Sequence, residues 1–300
     1  MNDLIDLSSL DPGTVEQLLD TATRVKQTPE NYTDALDGTT MLHLFGQPST
    51  RTRVSAAAGV TELGGDSIEL DRQSSQLSRG ESLHDTGSVL ARYTDGILAR
   101  LERHDTLLDL ASASDVPVIN ALTDRFHPLQ ALSDMQTLRE YDRQPGDTEL
   151  VFVGDGNNVA QSLIQAIGKV EGTIRVSCPQ GYEPDREIVE RARADGGDVS
   201  VIHDPHEAVR GADAIYTDVW VSMGHDDRQE RLDRFRNYQV DADLVAAADD
   251  PVVMHPLPAH RGEEVTADVL DGDNAIIYDQ AENRLHMQKA VLLHLFDALP

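Results

Sequence analysis

Short apolar segments alternate with longer amphipathic segments along nearly the whole chain, and this alternation limits the folds that the chain can adopt. Runs rich in valine, isoleucine and leucine predict β-strands at 39–45, 95–100, 116–121, 149–156, 173–179, 197–203, 213–218, 251–258 and 275–279. Apolar residues at helical spacing predict helices at 14–27, 129–143, 159–170 and 186–196. The sequence therefore predicts an α/β fold of two doubly wound domains, each with a parallel sheet flanked by helices.

The boundary between the two domains is predicted in the segment 141–150, where a long helical pattern ends in Pro145-Gly146 before a new strand begins. The predicted domains are 1–140 and 141–300. A final helix, at about 280–299, is expected to pack back on the first domain. Because ligands of open α/β sheets bind beyond the carboxyl ends of the strands, functional residues are expected just after the strands.

The charge of the chain limits its partners. The formal net charge is −28, and Lys26, Lys169 and Lys289 are the only lysines. A nucleic-acid-binding face needs a basic surface, so nucleic acid is not an expected partner. An acidic, lysine-poor chain is typical of proteins that work in concentrated salt, where screening weakens self-repulsion. A merely acidic enzyme from an ordinary environment is the alternative.

Targeting and redox features predict a cytoplasmic protein. No apolar run is long enough to span a membrane, and the N-terminus lacks the pattern of a signal peptide. The single Cys178 excludes an intramolecular disulfide and any site built from several cysteines. No metal site and no cofactor are predicted, since the histidines are not closely paired and no phosphate-binding loop or nucleophile elbow is present.

The segment Ser49-Thr50-Arg51-Thr52-Arg53 lies between a predicted strand and a helical pattern. Ser49 or Thr50 can cap that helix, whose free N–H groups and positive dipole end favour an anion. Guanidinium groups add paired donors suited to phosphate. A simple capped helix is the alternative, but it needs no arginine pair. The pattern predicts an oxyanion site.

Further donors are expected at the same sheet edge. Arg100 ends the strand 95–100, and His127 and Gln130 follow the strand 116–121. A single histidine is more often structural than catalytic. The convergence of His127 with Arg100, Gln130 and the arginine cluster nevertheless suits a phosphate with an adjacent polarised carbonyl.

Polar groups also follow the strands of the second half. Asn157 and Asn158 end the turn "VGDGNN", which lacks the acidic residue of a dinucleotide site after the next strand. These amides suit a zwitterionic ligand. Asp218 ends another strand, with Ser222 in the loop beyond. Asp218 suits an ammonium group, with a solvated loop aspartate as the alternative.

Taken in order, the motifs resemble those of ornithine carbamoyltransferases, within the aspartate/ornithine carbamoyltransferase family. They run from Phe45 to Arg284. The motifs are Ser-Thr-Arg-Thr-Arg, His-Pro-x-Gln, Gly-Asp-Gly-Asn-Asn, Asp-x-x-x-Ser-Met-Gly, Leu-Pro-Ala-His-Arg-Gly-Glu-Glu and Glu-Asn-Arg. The resemblance implies transfer of a carbamoyl group from carbamoyl phosphate to the side-chain amine of L-ornithine, giving L-citrulline and phosphate. It also implies a role in arginine metabolism and amino-acid biosynthesis.

The resemblance assigns roles to residues by their position in the motifs. The implied carbamoyl phosphate ligands are Ser49, Thr50, Arg51, Thr52, Gln76 from a neighbouring subunit, Arg100, His127, Gln130 and Arg284. The implied ornithine ligands are Asn158, Asp218, Ser222, the Met223 backbone and the Leu257 carbonyl. The implied catalytic residues are Arg100, His127, Asp218 and Arg284. The resemblance further implies a homotrimer, or a multiple of trimers, with active sites at subunit interfaces.

Two prolines leave a second substrate open. Pro48 and Pro256 are typical of the aspartate branch, and ornithine enzymes usually have a cysteine at the position of Pro256. Carbamoylation of aspartate or another amine is therefore the alternative. Ala259 stands where the aspartate branch has an arginine, which favours ornithine, although the segment Arg228–Arg231 could supply a cation.

Overall fold

The computed structural model describes residues 3–221 and 227–299. Two compact units make up the chain. The first unit consists of the chain up to Gln136 together with the C-terminal segment from Glu282. The second unit is Thr137–Ala281. Among the described residues, no helix is long and apolar enough to cross a membrane.

Nine strands and twelve helices are described. The strands are β1 (Thr40–Phe45), β2 (Asp66–Asp71), β3 (Gly96–Arg100), β4 (Val118–Leu122), β5 (Glu149–Val153), β6 (Thr173–Ser177), β7 (Asp198–Val201), β8 (Ala214–Thr217) and β9 (Val252–Met254). The helices are α1 (Pro12–Gln27), α2 (Thr50–Glu62), α3 (Leu83–Leu90), α4 (His104–Ala113), α5 (Pro128–Glu140), α6 (Asn158–Lys169), α7 (Arg186–Ala194), α8 (Pro205–Ala208), α9 (Arg228–Phe235), α10 (Ala242–Ala246), α11 (Ala267–Leu270) and α12 (Ile277–Leu295).

The first unit is built on a parallel sheet with the strand order β2-β1-β3-β4. Nearly every residue of β1 and β3 is buried, as expected for central strands covered on both faces. The chain moves from β1 outward to β2 and then returns to the other side of β1 with β3. The loops after β1 and β3 therefore diverge, which leaves a crevice at this topological switch point.

The second unit repeats the design with a parallel sheet of order β7-β6-β5-β8-β9. The chain builds β6 and β7 on one side of β5, then crosses to the other side for β8. The switch point therefore lies between β5 and β8. A buried cluster that includes Val151, Ile215, Phe235 and Val240 packs on this sheet.

The predicted fold class is confirmed, but several single elements were missed or wrong. Helices α3, α4 and α8 to α11 were not predicted. The sequence prediction missed β2, an edge strand whose residues are mostly exposed, because it contains no continuous apolar run. The predicted strand at 275–279 was wrong. Ala275 makes an isolated bridge to Val253, and α12 begins at Ile277. Ile276 and Ile277 are buried, but as the entry to a helix, and a short apolar run does not distinguish the two.

Candidate active site

The start of α2 offers backbone donors at the switch point of the first sheet. Ser49 precedes α2 in an extended conformation, and its side chain makes no capping hydrogen bond. The first N–H groups of a helix have no acceptor within the helix. A cap by Ser49 or Thr50 was predicted from the sequence, but Thr50 is the first residue of α2 and the Ser49 hydroxyl makes no capping bond. This arrangement suits an anion at the helix start.

The two arginines of this segment differ in their surroundings. Arg53 forms ion pairs with Asp71, at 2.9 Å, and with Glu69, both on β2. Its guanidinium also lies 4.3 Å from the centre of the Phe45 ring. Within residues 3–221 and 227–299, Arg51 has no carboxylate partner. The arginine pair therefore divides into a structural Arg53 and an Arg51 whose charge is not neutralised by the described chain.

Hydrogen bonding and charge interactions link four predicted site residues of the first unit, which are Thr52, Arg100, His127 and Arg284. Arg284, on α12, donates from Nη2 to the Thr52 hydroxyl at 2.6 Å. Both side chains are nearly inaccessible to solvent. Arg100 ends β3, and its strand pairs with β1 so that Arg100 lies opposite Phe45. Burial lowers the pKa of His127 well below its ordinary value, and the nearby charges of Arg284 and Arg100 lower it further.

The low pKa of His127 decides its chemical form at this edge. At neutral pH the imidazole is uncharged, so it can donate one hydrogen bond to a substrate oxygen without adding to the arginine charges. Gln130, one turn into α5, donates from Nε2 to Asp134 at 2.8 Å. Its buried Oε1 has no hydrogen-bond partner among the described residues, which leaves that acceptor for an N–H group of a ligand.

The switch point of the second sheet holds Asp218, which directly follows β8. Asn157 caps α6 by accepting from the N–H groups of Val159 and Ala160. The Asn157 amide also donates to Asp218 at 2.8 Å. Asn157 is thus occupied by the helix start and by Asp218, contrary to the expectation that both asparagines face a ligand. Asn158 is the first residue of α6 and is partly exposed.

The surroundings of Asp218 disfavour the charged form of its carboxyl. Burial raises the pKa of its carboxyl, although the Asn157 amide and the Val219 N–H act in the opposite direction. A carboxylate that remains ionised under such conditions gains most from a cation brought close to it. The site therefore favours a ligand with an ammonium group.

An acidic and a basic residue that were not among the predicted ligands form an ion pair near Asp218. Arg231 is buried on α9 and pairs with Asp155, in the turn after β5. Its Nε donates to the Trp220 carbonyl at 2.6 Å, and its guanidinium lies 5.0 Å from the centre of the Tyr182 ring. Burial raises the pKa of Asp155 to about 6, against the effect of Arg231. Arg231 is thus engaged within the protein and is not a free cation for a dicarboxylate.

The loop after β9 holds Leu257 in an unusual backbone conformation. Leu257 has φ of 57°, in the left-handed region, which costs a leucine about 1–2 kcal/mol. Its N–H donates to Nδ1 of His255 at 2.9 Å. Nε2 of His255 lies 3.1 Å from Glu264, and both side chains are fully buried. The loop's conformation is thus fixed by contacts within the loop itself.

One group of the described residues has the composition of a metal site. His260, Glu263 and Glu264 bring three possible ligand atoms within 4.8 Å of one another. Glu263, however, pairs with Arg228, and Glu264 accepts from the His260 N–H and contacts His255. One oxygen of each carboxylate is therefore engaged within the protein, by Arg228 or by the His260 N–H.

The contacts described above do not include the predicted ligands Gln76, Ser222 and Met223. Gln76 is exposed in a 3₁₀ turn, Gln76–Arg79. Ser222 and Met223 lie outside the described residues. The sequence carried a signal for Asp155 and Glu264, because both belong to motifs of the resemblance. Arg231 belongs to the segment Arg228–Arg231 that was considered as a cation for aspartate, and its burial and its pairing show that it serves the protein's own structure.

Comparison with known proteins matches both halves of the chain. Residues 2–140 match the carbamoyl-P binding domain of the aspartate/ornithine carbamoyltransferases, and residues 146–295 match their Asp/Orn binding domain. A catabolic ornithine carbamoyltransferase of Halobacterium salinarum is 51% identical, with 97% of this chain and 98% of that protein covered. The relative from Methanothermobacter thermautotrophicus is 49% identical over 95% of this chain and 96% of its own length. The solved ornithine carbamoyltransferase of Pyrococcus furiosus superposes with a TM-score of 0.94 at 45% identity, with 100% and 98% of the two chains covered.

Proposed function

The chain belongs to the aspartate/ornithine carbamoyltransferase family, and we propose that it acts through the residues described above. Its reaction is that of an ornithine carbamoyltransferase, which transfers the carbamoyl group of carbamoyl phosphate to the side-chain amine of L-ornithine. The products are L-citrulline and phosphate. One observation carries this conclusion. Relatives that are 45–51% identical over nearly the whole chain are named ornithine carbamoyltransferases.

The first unit is proposed to bind carbamoyl phosphate. The N-terminus of α2 and the unneutralised Arg51 supply donors and charge for the phosphate, together with Arg100. The full proposed set is Ser49, Thr50, Arg51, Thr52, Gln76, Arg100, His127, Gln130 and Arg284. In this proposal the neutral imidazole of His127 donates to the carbamoyl oxygen, and the Gln130 Oε1 accepts from the carbamoyl N–H.

The second unit is proposed to bind ornithine. Asp218 supplies a carboxylate for an ammonium group, beside Asn158 and the loop residues Ser222 and Met223. The Leu257 carbonyl is proposed to accept from the reacting amine. A carboxylate whose pKa is raised by burial is a poor neighbour for a dicarboxylate substrate, because two like charges would share a poorly solvated site. The structure of this site therefore favours ornithine over aspartate.

The proposed chemistry needs orientation and charge stabilisation. The lone pair of the ornithine side-chain nitrogen attacks the carbamoyl carbon, the bond from that carbon to the phosphate oxygen breaks, and phosphate leaves with its electron pair. The nitrogen loses a proton, which the departing phosphate can accept. Arg100, Arg284 and His127 stabilise the negative charge that develops on the carbamoyl and phosphate oxygens. Holding both substrates in position removes part of the entropic barrier.

A panel of amines tests the assignment. The purified chain is incubated with labelled carbamoyl phosphate and, separately, with ornithine, aspartate, lysine and putrescine. Formation of citrulline from ornithine at the highest kcat/KM is the expected result. Equal or faster carbamoylation of aspartate would overturn the choice of ornithine and restore the alternative suggested by Pro48 and Pro256.

We propose further that the chain forms a trimer, or a multiple of trimers, in which Gln76 reaches the site of a neighbouring subunit. The support is the exposure of Gln76 and of apolar side chains near the sheet edge, since Val54 is 65% exposed and Ile68, on edge strand β2, is 48% exposed. Light scattering measures the mass. A monomer with full activity would contradict the proposal.

We also propose that the chain is a cytoplasmic enzyme of arginine metabolism from a halophile. The placement of the lysines supports the halophilic part of this proposal. All three lysines lie in the described residues, none is exposed, and each has a partner. The pairs are Lys26 with Asn283 at 2.8 Å, Lys169 with Asp195 at 2.7 Å, and Lys289 with Glu62 at 2.6 Å. Lysine is therefore kept where an ammonium group serves the structure and is missing from the solvent-exposed surface of the described chain.

A further inference from the structure

Glu264, His255 and Leu257 form a continuous hydrogen-bonded chain in the loop after β9. The Leu257 N–H can only donate, so Nδ1 of His255 must be the acceptor of that 2.9 Å bond. The ring proton of neutral His255 therefore resides on Nε2, which donates to Oε1 of Glu264 at 3.1 Å. The contacts thus fix both the tautomer and the ring orientation of His255.

The chain of contacts is anchored at both ends. The His255 N–H donates to Oε1 of Gln280 at 2.9 Å, and Nε2 of Gln280 donates to the Tyr216 hydroxyl, on β8, at 3.2 Å. At the other end, Oε1 of Glu264 also accepts from the His260 N–H at 2.5 Å. Hydrogen bonds through Gln280 therefore connect the loop to β8, the strand that Asp218 follows.

The same contacts exclude His255 as a general base. Nδ1 receives the Leu257 N–H and Nε2 faces Glu264, so neither ring nitrogen is left to take a proton from a substrate. His255 is also buried, with 1% of its surface exposed. A role for the chain of contacts must therefore act through the backbone that it holds.

We infer that Glu264 and His255 are positioning residues, which act by holding the backbone of Leu257 so that its carbonyl can receive the reacting amine. This inference rests on the proposed role of the Leu257 carbonyl in ornithine binding. Leu257 has φ of 57°, a conformation that a leucine adopts only when its surroundings impose it. Relaxation of Leu257 after loss of the His255 contact would turn the carbonyl away from the amine.

Two amide replacements of His255 separate the two hydrogen bonds. In His255→Asn, the side-chain oxygen lies near the position of Nδ1 and can accept from the Leu257 N–H, while the link to Glu264 is lost. In His255→Gln, the longer side chain reaches the position of Nε2 and can donate to Glu264, while the Leu257 N–H loses its acceptor. Both variants place one neutral amide in the same buried volume. His206→Gln, at an exposed histidine of the same unit, is the control.

We expect kcat/KM for ornithine to be at least about tenfold lower in His255→Gln than in His255→Asn, because small misplacements of a reacting group are costly. KM for carbamoyl phosphate should differ by less than about twofold between them. Glu264→Gln, whose amide oxygen can still accept from His255 and His260, should lose less activity than Glu264→Ala. Melting temperatures measured on the same samples provide the comparison with folding.

The outcomes distinguish this inference from the proposed function. Wild-type protein that makes no citrulline from ornithine would overturn the proposed function. Active wild type with equal ornithine kinetics in the two His255 variants would overturn only the inference. If the two residues served only to stabilise the fold, both variants would lose kcat for ornithine and binding of carbamoyl phosphate in parallel with their melting temperatures. That result would also overturn the inference.

Discussion

Arg53 and Asp71 form an ion pair of 2.9 Å that links α2 to the edge strand β2. The same guanidinium pairs with Glu69 and lies over the Phe45 ring. Arg51, two residues earlier, has no carboxylate partner within the described part of the chain. Neighbouring arginines of one motif are thus expected to have separate roles, one in stability and one in binding phosphate.

Arg51→Ala should reduce kcat/KM by about 10²–10³-fold, because the loss of one preorganised electrostatic contact has an effect of that size. Its melting temperature should stay at the wild-type value. Arg53→Ala is the matched control and should show the reverse. It should keep most of its activity and lose about 1 kcal/mol of stability, from a partly exposed ion pair and a cation–π contact. Near wild-type kinetics in Arg51→Ala would contradict the proposed phosphate site.

KM for ornithine should rise as the pH falls through about 6. Burial raises the pKa of Asp155 to about 6, so acidification neutralises the partner of the buried Arg231. Protonation weakens the attraction that holds the Arg231 guanidinium in place, and Arg231 also holds the Trp220 carbonyl near Asp218. The measurement is the pH profile of KM for ornithine in wild type and in Asp155→Asn, where the inflection near pH 6 should be missing. A profile that is the same in both proteins would contradict the prediction.

Protonation of Asp155, which is expected to weaken ornithine binding, is expected to stabilise the folded chain. Its pKa is raised above the ordinary value of 3.8 when the chain is folded, so the folded state binds the proton more tightly than the unfolded state does. The contribution is therefore fully present below about pH 4 and is lost as the pH rises through about 6. A pH series of melting temperatures on wild type and Asp155→Asn measures this difference.

The sequence allowed prediction of the sheets and of the residues at their carboxyl ends, because these depend on local patterns. Apolar runs mark buried parallel strands. Arg100 ends β3, His127 lies in the loop between β4 and α5, and Asp218 follows β8. The edge strand β2 was missed because its exposed residues carry no such run. The roles of Asn157 and Arg53 were also misread. Their side chains are occupied by Asp218 and Asp71, residues distant in sequence, and no local pattern reports such a contact.

Stability and activity should rise with salt well beyond physiological concentrations. The net charge is −28, and the lysines are occupied in internal pairs, so exposed carboxylates repel one another at low ionic strength. The melting temperature is measured from dilute buffer to molar potassium chloride, with glucose at equal osmolality as the control. An unchanged melting temperature across the salt series would contradict the proposal of a halophilic enzyme.

Asp218→Asn should strongly lower kcat/KM for ornithine while leaving the affinity for carbamoyl phosphate largely unchanged. The reason is that an ammonium group taken from water needs a carboxylate, and an unpaired charge in a poorly solvated site costs several kcal/mol. The proposed phosphate ligands belong to the other unit, so they keep their charges and contacts. The change also leaves the Asn157 amide facing another amide in place of a carboxylate. Asp243→Asn, at an exposed position of the same unit, is the control for the change in net charge.

The measurement is a titration of ornithine and of carbamoyl phosphate against wild type and both variants. We expect kcat/KM for ornithine to fall by about 10²-fold or more in Asp218→Asn, in keeping with the loss of a charged partner. Kd for carbamoyl phosphate should change by less than about twofold. Aspartate, tested in parallel, meets a like charge at Asp218 in the wild type, so any residual carbamoylation of aspartate should improve in Asp218→Asn. Loss of carbamoyl phosphate binding in this variant would show that Asp218 does not act on the amine alone.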